Sequence, residues 1–195
     1  MEKIVNIIEK FDFILQKNNM PNYKKLNPPL IKNQVSQILE NLKITDNNFI
    51  ALYLWKNGSD LNKSLGNLCW IVKFGTIMPL EEVYETYVSN NTIDGRWDSP
   101  WLIPFITDTT GQYLLFNNEK GPNFGKIYLY SASLLDAIDT IIYYDSLKNL
   151  FQTTIEAYIM GSISYEPNGN LQINSTEYKK IATSLNPLSD YWKKK

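Results

Sequence analysis

Chemistry in this chain must come from a short list of side chains, because its 195 residues contain no histidine. That excludes Ser-His-Asp and Cys-His catalysis, histidine-ligated metals and imidazole pH switching. A single cysteine, Cys69, excludes an intramolecular disulfide and a cysteine zinc cluster. It lies among strand-forming apolar residues, where a lone thiol reads as an inert part of the core. Glu81, Glu82 and Glu85 stand three and four apart, so pairs of their carboxylates share a helical face. In a cleft such pairs can move protons. At the start of a helix they instead answer the dipole, and neither a nucleophile nor a supporting group accompanies them here. No catalytic residue is therefore assigned. Asp108 and Gly111 have no second carboxylate beside them and make no metal site. They shape a turn, with the aspartate bonding nearby amides, or form a binding loop. The most suggestive cluster is Arg96-Trp97-Asp98 with Trp101. Trp and Arg are enriched at binding hot spots, although two tryptophans can equally fold back as lids on a core.

The charge is unevenly spread. The net value is −1, but residues 1–73 carry +4, residues 74–166 carry −8 and residues 167–195 carry +3. Twelve acids in the middle segment can steer a basic partner if they share a face, and merely solvate exposed surfaces if they do not. That segment also contains Arg96, the only arginine, and a single arginine weakens a nucleic-acid reading.

These residues need elements to hold them. Ile4, Ile8, Phe11 and Leu15 recur at helical spacing and predict a helix over 2–18. Pro28 and Pro29 precede a second helix with the stripe Ile31, Val35, Ile38, Leu39 and Leu42. Asp46 is the expected N-cap of a third, which Asn57-Gly58 is expected to stop. Residues 68–73 read as a strand. Pro79 starts a helix with Leu80, Val83, Tyr84 and Tyr87 on its inner side, followed by a polar loop over 89–99. Leu102 to Thr107 and Gln112 to Asn117 read as a hairpin around Gly111. Lys126 to Tyr130 is a further strand, and Ile138 to Tyr144 is a strand or a helix. Leu147 to Tyr158 is a helix stopped by Gly161, Asn168-Gly169 is a turn, and Ser175 opens a last short helix before Pro187. The terminal lysines read as a frayed tail. The pattern is α+β: a single domain over 1–195, with a mixed, mainly antiparallel sheet packed by helices.

Three stretches resemble the SMI1/KNR4 family of the SUKH superfamily. Ile38-Leu39-Glu40, Leu42 and Phe49-Ile-Ala-Leu-Tyr-Leu-Trp-Lys-Asn57-Gly58 are similar to its helix pair ending in Asn-Gly. Trp101-Leu-Ile-Pro104-Phe105-Ile-Thr-Asp108-Thr-Thr-Gly111-Gln112 is similar to its strand leading into a second strand, except that Gln112 stands where an acid is common. Asp145 to Phe151 resembles the start of the closing helix. The resemblance implies a core over about 28–160, with the N-terminal helix and residues 161–195 as additions.

It also implies an immunity protein that binds and neutralises a cognate bacterial toxin, a nuclease or another nucleic-acid-targeting domain encoded by a neighbouring gene. The alternative it implies is a scaffold in cell-wall or stress regulation. No enzymatic activity is characteristic of the family. Glu81, Glu82, Glu85, Asp94, Arg96, Trp97, Asp98, Trp101 and Asp108 form the expected partner-binding pool. No metal, cofactor, direct nucleic-acid contact or membrane association is expected. The longest apolar run is Phe49 to Trp55, well short of the ~20 residues of a spanning helix. With no signal peptide read at the N-terminus and a free thiol, the expected compartment is the cytoplasm.

Overall fold

Apolar residues at helical spacing from Ile4 to Leu15 make the first element, α1 (Ile4–Lys17), which buries Ile4, Ile7, Ile8, Phe11, Ile14 and Leu15. The computed structural model describes residues 3–18, 20–63, 69–93, 100–131 and 141–194. Helix α2 (Lys32–Asn41) follows the two prolines and buries Val35 and Leu39, while Ile31 stays exposed in front of it. Helix α3 (Asn47–Trp55) starts as expected at Asp46, whose Oδ1 accepts the Asn48 and Phe49 N–H groups at 2.8 Å each. A cap of this kind is worth about 1 kcal/mol.

Five strands form one meander in the order β1 (Thr76–Ile77), β2 (Leu102–Thr107), β3 (Gln112–Asn117), β4 (Ile127–Ser131) and β5 (Ile141–Tyr144). Every ladder in it is antiparallel. The fold is therefore α+β, with the expected mainly antiparallel sheet. Both faces of its centre are covered. Ile103, Phe105, Leu114, Phe116 and Ile127 join the main core. There the Phe49 ring of α3 meets Phe116 at 4.9 Å and Phe105 at 5.8 Å. Leu102, Leu115 and Tyr128 pack on the other face with Tyr87, Tyr113, Tyr130 and Ile142. Burial on both faces explains why these strands read as near-continuous apolar runs rather than alternating ones.

Helix α4 (Leu80–Ile93) connects β1 to β2, and α5 (Leu147–Ile159) follows β5. Ser146 caps α5, and Gly161, at φ +68°, lies just beyond its C-cap Met160, as expected. A short hairpin, β6 (Ile163–Tyr165) and β7 (Leu171–Ile173), turns at Asn168-Gly169. Helices α6 (Ser175–Leu185) and α7 (Asp190–Lys193) close the chain. No described helix is long and apolar enough to cross a membrane.

Four local expectations are corrected. Residues 69–73 form no strand beyond one isolated bridge, Val72 to Gly75. Side chains take the carbonyls that a neighbouring strand would have used: Asn22 Nδ2 and the Tyr165 hydroxyl both donate to Trp70 O at 2.9 Å, and the Tyr158 hydroxyl donates to Ile71 O at 3.0 Å. The expected loop from residue 89 is helical as far as Ile93. Helix α3 is ended by Lys56 in an extended conformation, not by Asn57-Gly58. The terminal lysines are not simply frayed: Lys193 ends α7 and pairs with Asp190 at 3.3 Å, and Lys194 O accepts from the Lys179 ammonium, next to the buried Trp192, which donates its indole N–H to Tyr143 O at 2.6 Å.

Candidate partner-binding surface

Asn57 and Gly58 build the platform for α4. Asn57 is buried, its Oδ1 accepts the Leu80 N–H at 2.8 Å, and its Nδ2 donates to Glu81 Oε2 at 3.0 Å. It therefore caps α4 from 23 residues away in sequence, serving amides that the helix itself leaves unpaired. Gly58 has φ +59°, and a Cβ there would lie 2.4 Å from Ile77 O and 2.5 Å from Met78 C. The backbone is stitched on both sides: Asn27 N–H donates to Gly58 O at 2.7 Å and Ser59 N–H to Ile77 O at 3.0 Å. Only glycine permits both that conformation and that approach.

On this platform α4 turns Leu80, Val83 and Tyr87 inward, with Leu80 and Val83 fully buried and Tyr87 packed against both core clusters. Tyr84, expected inside, is 36% exposed. The outward stripe is Glu81, Tyr84, Glu85 and Val88, the last also 36% exposed. Its spacing of three, four and seven places two carboxylates and two apolar side chains on one face. Glu82 is half-buried beside it. Burial, reinforced by the negative charges of Asp60, Glu85 and Glu81, raises its carboxyl above the usual range. Burial first and the Glu81 charge second push the Tyr53 hydroxyl, inside the same corner, far upward.

Trp101 is 39% exposed and lies immediately before β2. Its neighbour Pro100 accepts the Tyr87 hydroxyl through its carbonyl at 2.8 Å, which ties this corner to α4. Asp108 lies at the other end of β2, roughly 20 Å along a six-residue strand. Its carboxylate is used in its own turn: Oδ1 accepts the Thr110 and Gln112 N–H groups at 2.8 and 3.1 Å, and Oδ2 accepts the Thr110 hydroxyl at 2.6 Å. Asp94, Arg96, Trp97 and Asp98 lie outside the described residues.

The structure thus brings Glu81, Glu82 and Glu85 together, adds Asp60, and separates Asp108 from Trp101. The described acids of the −8 segment do not share one face. Glu119 follows β3 at the Trp101 end of the sheet, whereas Asp108 is at the opposite end. Asp145 accepts the Leu188 N–H after β5, Glu156 is on α5, and Glu166 is held by Asn168 and Gln172 in the β6–β7 turn. Among the described residues no group of three or more acidic or cysteine side chains is placed to hold a metal. Cys69 is buried, as read from the sequence.

Sequence reasoning missed Tyr84 and Val88 as outward residues and Asp60 as part of the acidic corner. The i, i+4, i+7 spacing of Glu81, Glu85 and Val88 was the available signal. No curated protein matches the chain. The sequence model of the SMI1 / KNR4 family (SUKH-1) matches residues 32–153, a span running from the start of α2 into α5. That span covers most of the chain and contains the Asn57-Gly58 platform, α4 and the whole five-stranded sheet, so the chain belongs to the SMI1/KNR4 family (SUKH-1).

Proposed function

We propose that this chain is a non-enzymatic immunity protein that binds and neutralises a toxin encoded by a neighbouring gene, and that α4 presents its contact face. The observation that carries the proposal is the outward stripe Glu81, Tyr84, Glu85 and Val88, in which carboxylates alternate with exposed apolar side chains. Binding hot spots are apolar or aromatic anchors ringed by polar groups, and Tyr84 with Trp101 supplies such anchors. Family membership supports the same reading, because immunity is the role the SUKH resemblance implies.

The acidic part of the face suits a toxin whose own active surface is basic, as a nuclease surface must be to hold phosphates. Only the cluster on α4, together with Asp60, carries this argument. The test is direct binding of the full chain to the toxin domain encoded beside its gene, with the toxin's activity as a second readout. Saturable binding that abolishes that activity supports the proposal; no measurable affinity overturns it.

A further inference from the structure

Lys73 and two segments of the C-terminal region line a pocket of about 390 Å³, with Ser175, Lys179, Tyr191, Trp192 and Lys194 in its wall. Ligand sites generally occupy about 300–1,000 Å³. Three of the lining residues are lysines and none is acidic. The two carboxylates on the adjoining helices are committed elsewhere: Glu177 pairs with Lys180 at 2.7 Å and Asp190 with Lys193 at 3.3 Å. Lys179 donates to the Lys194 carbonyl, which ties the tail to α6 at the pocket wall.

Lys73 is the unusual member. It is half-buried, and its Nζ lies 5.5 Å from the ring centroid of the fully buried Tyr178. Burial lowers its affinity for its proton. A cation withdrawn from water is ordinarily matched by an anion, and among the described residues no carboxylate pairs with it. Three like charges gathered in one pocket repel each other, and a bound dianion reverses the sign of that contribution. The remaining wall is aromatic. Trp192 is fixed by its indole bond to Tyr143 O and by rings on several sides, and Tyr191 is only half-buried.

We propose that this pocket binds a small phosphate monoester that carries a planar ring, with the phosphate held by Lys73, Lys179 and Lys194 and the ring against Tyr191. A mononucleotide has this chemistry. Apart from Lys73, the pocket residues Ser175, Lys179, Tyr191, Trp192 and Lys194 lie beyond the family's matched span, which ends at residue 153. The site is independent of the toxin-binding reading.

Titration calorimetry of the full chain at low ionic strength, with inorganic phosphate and with adenosine monophosphate as separate probes, tests the proposal. The mononucleotide is expected to bind at least about tenfold tighter than phosphate, given the worth of a stacked base. Lys73→Met keeps an unbranched apolar stem while removing the charge, and is expected to weaken mononucleotide binding about tenfold or more. Lys120→Met, in the exposed turn between β3 and β4, is expected to leave it unchanged. If Lys73→Met lowers the melting temperature, Lys194→Met on the exposed tail repeats the measurement. No heat with either probe, equal affinity for both, or an equal loss in Lys120→Met overturns the proposal.

Discussion

At the scale of single residues, one amide does two things at once. Asn57 accepts the first N–H of α4 and donates to the carboxylate that follows it. Asn57→Ala loses the cap and leaves a buried N–H unpaired, so chemical denaturation should show a loss of about 1–2 kcal/mol. Gly58→Ala meets both a left-handed backbone and the Ile77 carbonyl and is expected to lose more, above about 2 kcal/mol, because backbone rather than a side-chain tip blocks the Cβ. Buried hydroxyls give a second contrast. Tyr144 and Tyr178 share a hydrogen bond of 2.7 Å, so Tyr144→Phe should cost about 1–3 kcal/mol. The Tyr53 hydroxyl is buried with no hydrogen-bond partner among the described residues, so Tyr53→Phe should be near neutral, within about 0.5 kcal/mol. Thermal melts of the two variants side by side check the difference. The Asn57-Gly58 pair was visible in the sequence, but its partners, 20 and more residues away, were not. A dipeptide that suits a helix end fits a tertiary cap equally well.

At the scale of elements, legibility followed the length of the pattern. Helices α1 and α5 and the β2–β3 hairpin carry long periodic runs or a well-marked turn, and they lie where the spacing put them. Residues 69–73 carry strand-forming side chains, yet their carbonyls are satisfied by Asn22, Tyr158 and Tyr165, a long-range arrangement that local propensity does not record. Helix α4 continues through residues that are weak helix formers because its inner face is already fixed by Leu80, Val83 and Tyr87. The same helix makes a pH prediction. The raised carboxyl of Glu82 means that the folded chain retains a proton the unfolded chain has lost. This contribution to stability is full below the ordinary carboxylate range and is lost as pH rises through the raised value. Glu82→Gln removes that loss. Its denaturation midpoint relative to the parent should therefore rise as pH is raised upward from the ordinary carboxylate range.

At the scale of the whole molecule, the residues beyond the family's matched span are part of the packing. Helix α1 lies against α3 and α5, and the Phe11 ring meets Phe151 at 5.2 Å in a tilted arrangement. Trp192 is buried against Tyr143, Tyr144 and Tyr178. Trp192→Ala should cost about 3–5 kcal/mol in unfolding free energy, as for other large buried aromatics; a loss below about 1 kcal/mol would mean that the tail is dispensable. The sequence left open whether the acids of the −8 segment share a face, because net charge along a sequence says nothing about which acids meet in space. Among the described residues, the corner made by Asp60, Glu81, Glu82 and Glu85 gathers acidic side chains.

The partner-binding account rests on that corner and the stripe beside it. Its most direct test is the association kinetics of the full chain with the toxin domain encoded beside its gene, measured for the parent and for the double variant Glu81→Lys, Glu85→Lys at two salt concentrations. The account predicts a dissociation constant near or below about 10 nM for the parent, with association slowed about tenfold or more by charge reversal and less so at high salt. Absent binding, or association unaffected by reversing both charges, would contradict it.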